Sequence, residues 1–321
     1  MSTVVEVSTG SRLHFGMFSF GRSNVRQFGG VGTMIEKPGL ELQITEAPQF
    51  ATDGPLANRV NKVVRRISEQ TCSGRLPRCR IEVVQSPPEH LGLGTGTQLE
   101  LAVAAGLNAF RGNQPLTATE LALLTGRGFR SAVGTYGFLQ GGLIVESGKL
   151  SGDILAPLEH RVSLPAEWRI VLIFPNAQPG LAGEAERRAF RQLPCVPSEV
   201  TSQLRAEVDD RLLPAVEERD FEAFGESLYR FGHLAGTCFA QHQGGPFASD
   251  RVAQLVGLIR EWGIRGAGQS SWGPTVFALL ESDKAAEQFT SELRQELEAQ
   301  ESFLVTRPTS EGARIARQFS P

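Results

Sequence analysis

Pro87-Pro88-Glu89-His90-Leu91-Gly92-Leu93-Gly94-Thr95-Gly96-Thr97-Gln98 is the stretch on which the fold turns. Glycine at every second position from 92 to 96 lets the backbone turn tightly and approach a ligand with no Cβ in the way. The run behind it carries Leu99, Ala102, Val103, Gly106, Leu107 and Phe110 on one face and predicts a helix with a buried side. Ahead of it, Arg80–Val84 reads as a strand. Strand, glycine loop and helix in that order predict a phosphate site, because free N–H groups and the positive dipole end meet at the helix N-terminus. Thr95 and Thr97 add hydroxyls suited to phosphate or to the surroundings of Mg²⁺. A purely structural turn is the alternative reading. The loop is not a Walker loop, since no Lys follows Gly96, and it lacks the GxGxxG spacing of dinucleotide folds.

The 321 residues suit two ordinary domains, and 40% hydrophobic with 21% charged residues is the balance of a soluble globular protein. A net charge of −3 gives no general pull toward nucleic acid or an anionic membrane, so any anion site must be local. No apolar run approaches the roughly 20 residues of a membrane span. The opening Ser2-Thr3-Val4-Val5-Glu6 has no basic region leading into an apolar core, so no signal peptide is expected and the cytoplasm is the expected compartment. Cys72, Cys79, Cys195 and Cys238 form no CxxC pair and are expected to be reduced, structural thiols. The five histidines show no metal-ligand spacing.

Along the chain, Val4–Val7 and Leu13–Phe20 predict two strands around a turn at Thr9-Gly10-Ser11, the second carrying Arg12 and His14. A glycine turn at Gly29–Gly32 and a strand at Leu40–Thr45 follow. Asn58 is a candidate cap for a helix through Val60, Val63, Val64 and Ile67, with Lys62, Arg65 and Arg66 on a solvated face. Thr117 to Glu120 fits a capping box. Gly126–Gly137 is a second glycine-dense region with Arg127 and Arg130, read either as an anion contact or as a glycine-rich hairpin. A relaxed pattern at Pro157–Pro165 suggests domains of 1–160 and 161–321. The second half alternates strands and helices from Arg169 to Arg307 and reads as a sheet covered by helices, an α+β arrangement.

Three glycine-rich segments in this order resemble the GHMP kinase superfamily. Thr95-Gly96-Thr97 stands where that superfamily has Ser-Ser-Ala, and Gly266–Ser271 stands at its third motif. The resemblance implies an N-terminal domain like the second domain of ribosomal protein S5, then a ferredoxin-like domain, with the ligand between them. Four segments resemble one branch in particular: Arg12-Leu13-His14-Phe15-Gly16, Gly92–Gln98, Gly126–Ser131 and Gly268-Gln269-Ser270-Ser271-Trp272-Gly273-Pro274. That branch is the β-ribofuranosylaminobenzene 5′-phosphate synthase family. Its members are not kinases; they join phosphoribosyl pyrophosphate to 4-aminobenzoate or 4-hydroxybenzoate and release CO₂ and pyrophosphate, in tetrahydromethanopterin biosynthesis. The residues agree with this choice, because Gly134–Gly142 holds no Asp or Glu to activate an acceptor hydroxyl for phosphoryl transfer. Departure of pyrophosphate calls instead for N–H donors and Mg²⁺ on the leaving group and a pocket that holds the aryl ring against C1 of the ribose.

The resemblance implies a set of roles. Gly92, Leu93, Gly94, Thr95, Gly96, Thr97 and Gln98 would hold pyrophosphate, with Thr95 or Thr97 near Mg²⁺. Arg127 and Arg130 would meet phosphate or the benzoate carboxylate, while Arg12, His14, Gly29, Gly30 and His90 would line the ribose or aryl side. Gln269, Ser270, Ser271 and Trp272 would close the pocket, the indole packing on the aryl ring. An inverting displacement needs no covalent nucleophile, and analogy suggests a homodimer. The competing readings are an ATP-dependent kinase of a small alcohol, separable by ATP affinity, and a non-catalytic binding protein that does not consume its ligand.

Overall fold

A long antiparallel hairpin of β1 (Ser2–Ser19) and β2 (Phe28–Glu46) carries the first half of the chain. The computed structural model describes every residue except Met1, Ser23, Cys72, Ala182 and Pro321, so the expectation for Cys72 lies outside the described residues. After the hairpin come β3 (Ala51–Asp53), α1 (Ala57–Thr71), β4 (Cys79–Gln85), α2 (Thr95–Phe110), α3 (Ala118–Thr125), α4 (Val133–Gln140), β5 (Leu143–Glu146) and β6 (Leu158–Val162). β1 is one strand and not two: Gly10 sits at a bulge between Thr9 and Ser11, and a Cβ there would run into the Ile35 carbonyl. The expected turn at Gly29–Gly32 is also strand, pairing Gly30 with Met17 and Gly32 with His14 on one side and with β5 on the other. Glycine serves close backbone approach here, since a Cβ on Gly30 would strike the Gly16 carbonyl.

Val5, Val7, Leu40, Leu42 and Ile44, on the near half of the hairpin, bury themselves against α1, α2 and β4. At the start of α3, Thr117 and Glu120 cap each other as a reciprocal box. Asn58 lies inside α1 and not at its cap, and α4 occupies what a glycine hairpin would have filled.

The second layer begins with β7 (Arg169–Phe174) and runs through α5 (Gly183–Gln192), α6 (Ser198–Glu207), a π-helical turn at Val208–Leu212 and α7 (Leu213–Glu217). It continues with α8 (Phe221–Thr237), α9 (Ala240–Gln243), α10 (Asp250–Glu261), β8 (Ala267–Gln269), β9 (Val276–Leu280), α11 (Asp283–Glu296) and β10 (Ser302–Thr306). The sheet order β10-β7-β9-β8 is antiparallel throughout, the ferredoxin-like order of a split βαβ pair. β11 (Arg314–Ser320) then returns to pair with β1. A division at 160/161 therefore falls inside β6, and residues 314–320 complete the first sheet.

The far half of the hairpin (Leu13, Phe15, Phe18, Val31, Ile35) shares one core with β7, β9 and α8. Close approach is built in, since a Cβ on Gly16 would meet Ala235 at 2.5 Å. Both sheets thus pack on one piece of β1, the piece that carries Arg12 and His14.

Candidate active site

Helix α2 opens at Gly94, which is left-handed (φ 72°), and the carbonyl of Gly94 takes the N–H groups of Thr97 and Gln98. The loop is clamped from two sides. Arg12 donates to the Gly92 carbonyl at 3.2 Å, and its Cγ lies 2.9 Å from where a Gly94 Cβ would stand. From the second layer, the Ser270 hydroxyl donates to the same Gly92 carbonyl at 2.7 Å and accepts the His14 N–H at 3.1 Å. The Ser271 N–H completes the brace on the His14 carbonyl at 2.8 Å. Gly92 (φ 82°) is required on steric grounds too, because a Cβ would collide with the Ser270 carbonyl.

Around the loop lies a polar cleft into which Arg12, Arg59, Arg66, Arg127, Arg130 and Arg187 project, against Glu89, Glu100 and Glu186. The surplus of three positive charges sits in a protein whose net charge is −3. Glu100 on α2 is nearly buried and receives Arg59 at 3.1 Å, Arg66 at 2.9 Å and Arg127. Burial raises its carboxyl, but those three guanidiniums outweigh burial and hold it below the ordinary value. Arg59 also pairs with Glu89, and Arg130 with Glu186, whose other oxygen accepts the Trp272 indole N–H at 3.1 Å. Burial lowers Arg12 to about 10, Glu186 partly opposing and Arg127 adding to the effect. Burial lowers Arg130 in the same way. These cations crowd the positive end of α2, an arrangement that an anion relieves.

The cleft opens into an apolar pocket. Phe15, Met17, Ala235, Phe239, Phe247 and Trp272 line it together with His14, Gln269 and Ser271, and among the described residues no charged side chain does. His14, Met17 and Ser271 face both spaces.

Most of the expected residues meet here: Arg12, His14, Gly92–Thr97, Arg127, Arg130, Ser271 and Trp272 share the cleft, with His90 at its rim. Several do other work. Gln98 is buried and bonds Thr9 at 3.0 Å and the Gly134 carbonyl at 3.1 Å, so it braces the helix instead of facing phosphate. Thr95 donates its hydroxyl to the Pro88 carbonyl at 3.0 Å, leaving Thr97 as the hydroxyl facing both lobes of the cleft. Gln269 holds its own loop, accepting the Ala248 N–H at 2.7 Å and donating to the Ser271 carbonyl at 2.8 Å. Ser270 is fully buried as a brace. Gly29 and Gly30 are sheet packing and are not among the residues lining the cleft. Trp272 already meets Phe239 at 4.9 Å and Phe190 at 5.6 Å in edge-to-face contacts, so it is part of an aromatic cluster. Arg66, expected on a solvated face, reaches Glu100. Arg59, Glu89, Glu100, Glu186 and Arg187 carried no recognisable motif; the one available signal was an acid one turn into a helix that follows a glycine loop.

Each carboxylate of the cleft is held by arginine, and among the described residues no three His, Cys, Asp or Glu side chains gather as a metal site. This donor set fits a Mg²⁺ that arrives on a diphosphate and keeps water in its shell, with the Thr97 hydroxyl nearby. Among the described residues no helix is long and apolar enough to cross a membrane.

Residues 58–140 match the model of the GHMP kinases N terminal domain, and residues 212–299 that of the GHMP kinases C terminal. In fold the chain is similar to mevalonate diphosphate decarboxylase from Staphylococcus aureus (TM-score 0.68, 16% identity, 98% of each chain). In sequence it is 31% identical to the beta-ribofuranosylphenol 5′-phosphate synthase of Archaeoglobus fulgidus over 87% of this chain and 89% of the relative. The enzyme of that name from Methanothermobacter thermautotrophicus is 29% identical over 86% and 88%. The glycine loop clamped by Arg12 and Ser270, the two GHMP halves and this near-full-length identity converge: the chain belongs to the beta-ribofuranosylphenol 5′-phosphate synthase family, within the GHMP kinase superfamily.

Proposed function

We propose that the protein condenses phosphoribosyl pyrophosphate with 4-hydroxybenzoate, forming a carbon–carbon bond and releasing CO₂ and pyrophosphate, in tetrahydromethanopterin biosynthesis in the cytoplasm. The observation that carries this reading is the junction of two unlike spaces at His14: a cleft with three surplus positive charges and an uncharged aromatic pocket. A polyanionic sugar and an aryl ring suit those spaces in turn. Of the two benzoates, the hydroxy acid is favoured because the relatives are named for a phenol product.

In this reading the N–H groups at the start of α2, with Arg12, Arg59 and Arg127, take the diphosphate and stabilise the charge that grows as it leaves. Enzymes of the superfamily often use Mg²⁺, and here the ion would add charge neutralisation on the diphosphate beside Thr97. Arg130 and the Trp272 indole N–H make a carboxylate-shaped pair, shown by the Glu186 carboxylate they already hold. The incoming carboxylate or the 5′-phosphate would compete for it. The aromatic pocket fixes the ring against C1 of the ribose, so that two bound reactants meet in one geometry.

The test is release of labelled CO₂ from carboxyl-labelled 4-hydroxybenzoate and 4-aminobenzoate. Release that needs phosphoribosyl pyrophosphate, faster from the hydroxy acid, is the expected result. No release from either, with ATP consumed on small alcohols, would return the chain to the kinases.

A further inference from the structure

Glu146, on β5, is fully buried, and Arg205, the cation that bears on it, is itself paired with Glu159. Buried carboxylates are normally paired, so this one stands out. Its oxygens accept the Ala132 N–H at 3.1 Å and the Gly148 N–H at 3.0 Å, and the Ser131 hydroxyl, whose oxygen accepts the Val133 N–H at 3.3 Å, bears on the same carboxyl. Ser131 Oγ in turn lies 2.9 Å from His14 Nε2. The line therefore runs from the buried carboxyl through one hydroxyl to the ring at the junction of cleft and pocket.

Ser131 has a single hydroxyl hydrogen, and this fixes the direction of the line. With Glu146 ionised, Ser131 donates to it and must accept from His14, which then carries its proton on Nε2 and offers Nδ1 as an acceptor. With Glu146 protonated, the carboxyl donates to Ser131, Ser131 donates to Nε2, and the His14 proton moves to Nδ1. We propose that Glu146 and Ser131 set the tautomer of His14 in this way, and that His14 takes the proton of the aryl 4-hydroxyl as the carbon–carbon bond forms. This role rests on the function proposed above.

The step balances. The ring carbon bearing the carboxylate bonds to C1 of the ribose as the bond to diphosphate breaks, its electron pair leaving with the diphosphate. The hydroxyl proton passes to Nδ1, the Nε2 proton to Ser131, and the Ser131 proton to Glu146. Loss of CO₂ returns the carboxyl bond pair to the ring, and the relay hands the proton back to the phenolate oxygen.

Burial raises Glu146 to about 7, against the pull of Ala132, Gly148 and Ser131, so the carboxyl can hold and return a proton near neutrality. Burial, and then Arg12 on β1, keep His14 well below its usual value, so the ring passes a proton on and does not retain it. The other groups in the field of Glu146 are Tyr136 on α4, Lys149 after β5 and Arg205 on α6.

Two measurements test the relay on the full chain. In substrate-free protein, ¹⁵N NMR of His14 should change from Nδ1–H to Nε2–H as the pH rises through about 7. Ser131→Ala, which leaves both backbone contacts of Glu146 in place, should abolish that change. In turnover, Ser131→Ala and Glu146→Gln should each lower kcat by about 100-fold with KM within about threefold, and remove the acidic limb of the pH profile. A His14 tautomer that ignores Ser131→Ala, or turnover unchanged by both substitutions, overturns the relay alone. Wild-type protein that shows the tautomer change but releases no CO₂ overturns the functional reading and the catalytic half of the relay together.

Discussion

Replacing Ser270 by Ala removes one oxygen from the point where both sheets and the glycine loop meet. That hydroxyl is 0% exposed, gives its hydrogen to the Gly92 carbonyl and takes the His14 N–H. After the substitution Gly92 still receives Arg12 at 3.2 Å, so that carbonyl keeps a partner. The His14 N–H has no such substitute and stays buried. The lost hydrogen bond is worth about 1 kcal/mol net, and stranding a buried N–H costs about 1–3 kcal/mol more. The expected loss is about 2–4 kcal/mol, a fall in Tm on the order of 5 °C for a chain of this size. Urea unfolding followed by tryptophan fluorescence, with calorimetry, would measure it. The glycine loop should also hold its diphosphate less firmly, raising KM for the donor several-fold. Stability within about 0.5 kcal/mol of wild type, the range of an ordinary surface substitution, would refute the brace.

Gly92→Ala should be harsher, because it forces a Cβ toward the Ser270 carbonyl at a left-handed backbone position; loss of donor binding by calorimetric titration checks it. Arg130→Ala should cut kcat/KM about tenfold or more, since each charge-assisted bond is worth about 1.5–3 kcal/mol, and free Glu186 should worsen the loss. Arg130→Ala and Gln269→Ala, both folded and within about twofold of wild-type turnover, would remove them from the site. The raised carboxyl of Glu146 makes the folded state bind the extra proton, so its contribution to stability is full below the unfolded value of about 4.3 and is lost as pH rises to about 7. Glu146→Gln should flatten that slope, worth on the order of 3 kcal/mol, in urea unfolding at pH 4.5 and 8. Chelation of Mg²⁺ should stop donor-dependent CO₂ release yet leave Tm unmoved, because among the described residues no carboxylate cluster waits for the ion.

The glycine loop and α2 were legible because alternate glycines followed by helical periodicity have few other uses. The box at Thr117 and Glu120 was legible because both halves of a reciprocal cap are written within four residues. What the sequence could not convey was direction. Gln98 and Thr95 sit inside the motif, yet tertiary packing turns one to Gly134 and the other to Pro88. Gly29 and Gly30 look like a turn because glycine marks close approach in sheets as readily as in loops. Glu186 comes to Arg130 from α5, 56 residues later in the chain, and no local pattern announces such a pair. Glu146 ends a plain apolar strand, and only its burial reveals that it is unusual.

The pairing of Ser2 with Ser320 has a consequence for how the molecule is made. As the chain leaves the ribosome, β1 appears well before its outer neighbour, so the edge that β11 covers stays open until Arg314–Ser320 emerge. During that interval Val5 and Val7 present an unpaired strand edge, the kind of surface on which chains mispair. The ferredoxin-like layer must therefore form as an insert within an unfinished sheet, and the glycine loop that the two layers clamp is assembled after both. Shortening the chain before Arg314 would leave that edge open permanently, so aggregation should appear before any defect in the cleft itself.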